Sequence, residues 1–330
     1  MPSKQTRYHR FVLVAQASAL ALGLFLLFNG DRVFRPGPHD QATQFVIERG
    51  DSPRTIAQNL KSKNLIQNEN LFNWIVFATR SRNQLKVGLY TSTPRASLFD
   101  ILTQITSGDA TLLRLTIPEG RNLKQALTLI QEAPGLIGAL PDDLHEGDIF
   151  PDTYFYHYGE RRTTLIATMR KLAERTLLRA WRKREDGLPL NTPHDMLVLA
   201  SIVEKETSLA RERRRVAGVF INRLRQNMKL ESDPTVTYGI TKGQYELDRP
   251  LRYSDLRRYS PWNTYRVRGL PPTPICLPGK KALEAVARPL ATDELYFVAD
   301  GSGGHRFAKT FEEHQRNVKR WRQWQKKNQQ

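Results

Sequence analysis

Residues 11–28, FVLVAQASALALGLFLLF, contain no charged side chain. As a helix this run rises about 27 Å at ~1.5 Å per residue, enough to cross the hydrocarbon core of a bilayer. Lys4, Arg7 and Arg10 precede it. A cleaved signal peptide is the alternative, and Ala17 and Ala19 resemble the small residues of a cleavage site. They lie in the middle of the run, however, and GLFLLF continues past them. The run is therefore expected to remain as an uncleaved anchor. Residues 1–10 then form a cytoplasmic N-terminus, 11–28 a transmembrane helix, and 29–43, rich in proline and glycine, a linker. The basic start argues for an exported body, an asymmetry softened by Arg32 and Arg35 on the far flank.

The length of 330 residues suffices for two or three domains, and 39% hydrophobic residues are enough for packed cores. The single cysteine, Cys276, excludes an intrachain disulfide and a cysteine-built metal site. A net charge of +18 calls for an anionic partner or surface. The positive charge gathers in 161–184, 211–229 and the tail 313–330, and each stretch reads first as the solvated face of a helix. The tail has a second reading, an amphipathic helix whose Trp321 and Trp324 rest on lipid. Export argues against nucleic acid as the partner, and no nucleic-acid-binding motif is present. Phospholipid or an anionic wall polymer fits better.

From Gln44 a pattern of short β-like run, turn and amphipathic helix recurs. QFVIERGDSPRTIAQNLKSKNLI has Ser52 as N-cap and Pro53 at the first helical position. GLYTSTPRASLFDILTQITSG is capped by Ser97, and LRLTIPEGRNLKQALTLIQEA by Asn122. A long basic helix follows over 163–184. The next helix begins with a capping box, Thr192 with Asp195, and Pro193. It runs into LASIVEKETS with Glu204 and Glu206 at its end. At about 100° per residue the two acids lie on opposite faces. Steps of three and four back from Glu206 meet Val203, Ile202, Leu199 and Met196, the apolar stripe. Steps back from Glu204 meet Ser201, Ala200 and Leu197, a smaller and more polar face. Glu206 is thus the acid expected to be partly buried, with its pKa raised towards neutrality and fit for general acid/base work. An edge glutamate paired with one of Arg213 to Arg215 is the plainer alternative.

Beyond it, DPTVTYG (233–239) reads as a turn presenting Asp233, Thr235 and Tyr238. WNTYRVRGLPPTPI (262–275) offers Asn263 and Tyr265, and FVADGSGGHRF (297–307) ends a glycine loop on His305. Polar and aromatic groups on ordered turns beside one buried acid suit a carbohydrate cleft.

IVEKET, FINRL, DPTVTYG, NTY, GLPPTPI and FVADGSGGHRF, in this order, resemble the endolytic murein transglycosylases, the YceG-like family. PDTYFY (151–156) fits the start of that family's catalytic region, and the resemblance spans about 44 to 320. It implies an α+β protein: a single N-terminal transmembrane helix, a LysM-like α+β module over 44–115, and a mixed α+β catalytic domain over 116–330. It implies Glu206, the second acid of EKET, as the catalytic residue. Asp233, Thr235, Asn263, Tyr265 and His305 become candidates for substrate binding. The implied reaction is non-hydrolytic cleavage between N-acetylmuramic acid and N-acetylglucosamine in nascent strands, leaving a 1,6-anhydro end and terminating elongation. No metal or cofactor is implied. The implied partners are peptidoglycan strands, the bacterial inner membrane and peptidoglycan synthases, with a single-pass anchor and the body in the periplasm. A muramidase using a second carboxylate, or a non-catalytic wall-binding scaffold, are the alternative readings.

Overall fold

A computed structural model describes residues 30–328. The anchor expected over 11–28 and the cytoplasmic start over 1–10 lie outside the described residues. Among the described residues no helix is long and apolar enough to cross a membrane. The architecture is α+β, divided into two compact units.

The first unit runs to Leu113 and takes in Pro134–Ile137 and Phe155–Glu160. Strand β1 (Thr43–Ile47) is followed by helices α1 (Pro53–Ser62) and α2 (Glu69–Ala78), strand β2 (Gly88–Ser92) and helix α3 (Leu98–Ser107). The strands pair antiparallel with Phe45 opposite Tyr90. Both are at most 2% exposed, and their rings stack 5.3 Å apart. The caps read from the sequence are in place. Ser52 accepts the Thr55 N–H, and Ser97 forms a reciprocal capping box with Asp100. Ile56, Leu60, Phe72, Ile101 and Ile105 fill the space between helices and strands. Helix α2 is not foreshadowed by the strand-turn-helix pattern. It follows α1 with no strand between them, and Asn68 caps it by accepting the Leu71 N–H.

Strand β3 (Leu113–Thr116) pairs with β4 (Thr153–Tyr156); helix α4 (Leu123–Glu132) lies between them in sequence. The second unit continues through helices α5 (Arg162–Arg182), α6 (Pro193–Glu206), α7 (Ala210–Arg225), α8 (Asp233–Thr241), α9 (Tyr253–Arg257) and α10 (Lys280–Ala287). The hairpin β5 (Tyr296–Ala299) and β6 (His305–Ala308) and the terminal helix α11 (Phe311–Asn328) complete it.

Helix α6 is the centre of this unit. Its Met196, Leu199, Ile202 and Val203 pack with Val216, Ala217 and Phe220 of α7 and with Ala282, Leu283 and Val286 of α10. Every residue from Val198 to Val203 is at most 1% exposed, so the middle of the helix is enclosed on all sides. The contrast drawn between a core face and a polar face does not survive this enclosure. Ser201 is itself buried, donating to the Val198 carbonyl and accepting the Ile275 N–H. Close packing extends to α7, where a Cβ on Gly218 would lie 2.4 Å from the Leu290 carbonyl oxygen.

One sequence expectation is corrected. DPTVTYG is not a turn but the first seven residues of α8. Pro234 stands in its first turn, where the missing N–H costs nothing and the fixed φ suits a helix.

Phe45→Ala should destabilise the first unit by about 3–5 kcal/mol through a lost aromatic stack and a cavity. Native-state hydrogen exchange would detect this as reduced protection of first-unit amides, with the amides of α6 and α7 unchanged.

Candidate active site

Glu206 is the last residue of α6. Its successor Thr207 turns the backbone to an extended conformation and ends the helix. The carboxylate is held from across the unit: the Ser232 hydroxyl donates a hydrogen bond to Glu206 Oε1. Ser232 is 2% exposed, and its own position is set by a buried network. Its N–H donates to Thr264 Oγ1 at 3.0 Å, its carbonyl accepts the Thr235 hydroxyl at 2.6 Å, and the two threonine hydroxyls are 2.8 Å apart.

Burial is the largest influence on Glu206 and pushes its pKa up to about 7. The Ser232 hydrogen bond pulls the other way by favouring the carboxylate, Asp233 pushes upward, and His305 and Arg223 pull downward. Glu204 is also shielded, its side chain only 7% exposed. What separates the two acids is their engagement. Glu204 accepts the Gly279 N–H at 3.0 Å and lies 3.9 Å from Arg213. Burial raises its pKa, with Gly279 and Arg213 opposing.

Glu206 borders a cavity of about 350 Å³. Thr207, Ser208, His305, Trp321, Trp324 and the glycines of the 300–304 loop line the rest. Asp300 shapes that loop by accepting the N–H groups of Ser302 and Gly304. His305 is anchored through Nδ1, 2.8 Å from Glu212 Oε2, while its own N–H donates to Glu212 Oε1. Gly304 permits this approach, since a Cβ there would lie 2.6 Å from Glu212 Oε1. Trp321 and Trp324, one helical turn apart on α11, stack with ring centroids 5.0 Å apart.

The residues singled out from the sequence divide into two groups. Glu206 and His305 line the cavity, and Asp233 is close enough to act electrostatically on Glu206. The Tyr265 hydroxyl donates to Asp233 Oδ1 at 2.7 Å. Burial and then Asp233 push the Tyr265 pKa up. Thr235 and Asn263 are at most 1% exposed and have no face to offer a ligand. Thr235 positions Ser232, while the Asn263 amide donates to the Asp255, Leu256 and Arg258 carbonyls and its Oδ1 accepts the Tyr265 N–H. The side chains of both are spent on hydrogen bonds inside the fold. Ser232, Glu212 and the cavity-facing role of the two tryptophans were not read from the sequence. The only sequence signal for Ser232 is its place immediately before DPTVTYG.

Together these features define an α+β protein in which one buried glutamate opens on an aromatic-walled cavity. The chain belongs to the YceG-like family, whose family model matches residues 45–320. A relative from Bacillus subtilis, named endolytic murein transglycosylase, is 29% identical over 88% of each chain. Relatives of the same name from Streptococcus pneumoniae are 28% identical over 82% of this chain, which spans 57% of their length. The crystal structure of a yceG-like protein from Listeria monocytogenes aligns with a TM-score of 0.52 at 28% identity, covering 84% of this chain and 99% of that one.

The buried acid has a cost that can be measured. Its pKa in the folded chain lies above the ordinary 4.5, so the folded state binds more protons than the unfolded state between about 4.5 and 7. Stability must therefore fall as pH rises through that window. Glu206→Gln cannot ionise and should be more stable than wild type at pH 8, by on the order of 2 kcal/mol. Thermal melts from pH 4.5 to 8 should show a shallower decline for the variant. A slope of the same sign should remain from Glu146, which burial also pushes up to about 7.

Proposed function

We propose that this protein is a membrane-anchored endolytic murein transglycosylase with Glu206 as its single acid/base. The observation that carries the reading is the buried Glu206 carboxyl, poised near neutral pH beside a cavity walled by aromatic rings. The names of the relatives supply the substrate.

Protonated Glu206 gives its proton to the glycosidic oxygen between N-acetylmuramic acid and N-acetylglucosamine. The bond from muramic acid C1 to that oxygen breaks, and positive charge develops at C1. Glu206, now a carboxylate, takes the proton of the C6 hydroxyl on the same sugar, and O6 closes on C1 to form the 1,6-anhydro ring. Ser232 donates to the carboxylate form and so steadies the half of the cycle in which Glu206 acts as base. His305, held by Glu212, and Asp233, held by Tyr265, are proposed to contact substrate beside it. Trp321 and Trp324 supply apolar faces on which sugar rings stack.

The charge-free run 11–28 is proposed as the anchor in the bacterial inner membrane, with the body in the periplasm. The first unit is proposed as LysM-like and glycan-binding. Such a tether keeps the enzyme beside nascent strands and the synthases that make them, where cutting ends elongation.

Mass spectrometry of glycan strands digested with wild type and with Glu206→Gln tests the reaction. Anhydro-ended products that disappear in the variant are expected. Products one water heavier would indicate a muramidase, and no products from a folded, glycan-binding wild type would favour the scaffold. The pH profile tests the acid: kcat/KM should fall as pH rises above about 7. Ser232→Ala should move that limb to higher pH, because the group favouring the carboxylate is gone.

A further inference from the structure

The reaction proposed for Glu206 makes no use of the net charge of +18. A second cavity in the same unit, about 570 Å³, shares no lining residue with the first and gathers much of that charge. Arg179 comes to it from α5 and Lys183 from the residue after that helix. Helix α7 contributes Arg213 and Arg214, while Lys280, Lys281 and Arg288 come from the two ends of α10. Against these seven cations the wall holds one carboxylate, Glu284, which lies 3.8 Å from Lys280 and 3.3 Å from Lys281.

The remaining cations are short of partners. Among the described residues no carboxylate lies within 4.0 Å of Arg179, Lys183, Arg214 or Arg288. Arg213 is 11% exposed and reaches Glu204 only at 3.9 Å, and its buried Nε has no hydrogen-bond partner. Two of these side chains are braced in place: Arg214 Nε donates to the Arg288 carbonyl at 2.6 Å, and Arg288 Nε donates to the Lys183 carbonyl at 3.2 Å.

Backbone adds to the field. Helix α7 begins at Ala210, on the cavity wall, with no side-chain cap, whereas the Gly279 N–H at the start of α10 is already taken by Glu204. The positive end of α7 therefore joins the cationic side chains, while the C-terminal ends of α5 and α10, at Lys183 and Arg288, face the same space. Holding so many like charges around one concave space costs free energy that an anion of matching size would relieve. Guanidinium forks favour oxyanions that accept two hydrogen bonds at once.

We propose that this pocket binds a phosphate-bearing anion. The proposal rests on this geometry and is independent of the reaction assigned to Glu206. Isothermal titration of the full-length chain in detergent, with sodium pyrophosphate as probe, tests it. Saturable binding that weakens with salt is expected. Reversing two exposed cations, Arg179→Glu with Lys183→Glu, should weaken it by about tenfold or more. Arg54→Glu with Lys63→Glu in the first unit makes the same change in net charge and should leave binding intact. Absence of saturable binding, or equal loss in both double variants, would overturn the proposal. Arg288→Ala, with its melting temperature checked, gives a second reading of the site and should also weaken binding. Adding phosphatidylglycerol to the micelles separates the sources within a positive result. Competition with pyrophosphate identifies a lipid headgroup, and no competition identifies a soluble or polymer-borne phosphate.

Discussion

The hydrogen bond from Ser232 to Glu206 joins parts of the second unit that are distant in sequence, and the character of the site depends on it. Burial alone would hold the Glu206 carboxyl in its neutral form. The serine hydroxyl favours the ionised form, and the balance leaves the group near neutral pH. That balance requires Ser232 to be rigid. The threonines at 235 and 264 provide this, one accepting its N–H and the other donating to its carbonyl. Thr235 belongs to α8 and Thr264 to the loop after α9, so the fold of this region is expressed directly in the acidity of one side chain.

Helix α7 serves several purposes at once because a helix has several faces. Val216, Ala217 and Phe220 join the core around α6. Glu212 points to the hairpin and holds His305 at the Glu206 cavity. Arg213 and Arg214 line the basic cavity. Arg223, buried near the other end, donates to the carbonyls of Lys229, Leu230 and Leu295 and draws three chain segments together. In sequence these residues look like one diffuse basic stretch. The positive charge of 211–229 is therefore only partly a solvated surface.

Much of the local structure was legible because its causes are local. Ser52, Ser97, Asn122 and the Thr192–Asp195 pair act on N–H groups three residues away, so their spacing alone announces the helix starts. Glu206 could be singled out because steps of three and four back from it meet Met196, Leu199, Ile202 and Val203, all of which the fold buries. Helix α2 stands outside the recurring strand-turn-helix pattern because it follows α1 with no strand between them. The spacing of the two tryptophans of α11 suits solvent or lipid. Their approach to the Gly301 loop, where a Cβ would lie 2.6 Å from Trp324, depends on a packing that no spacing encodes.

The sequence by itself determined the helix boundaries set by caps, the α+β class, the candidate acid and the motifs that mark the family. These follow from interactions within a few residues or from the order of residues along the chain. Tertiary structure alone decided that the middle of α6 is enclosed on every side, that Ser232 meets Glu206, and that Thr235 and Asn263 are spent on the fold. It also decided that cations from α5, α7 and α10 share one cavity. The physical reason is the same in each case: burial, hydrogen-bond partners and local field belong to neighbours in space, and these come from segments tens of residues apart.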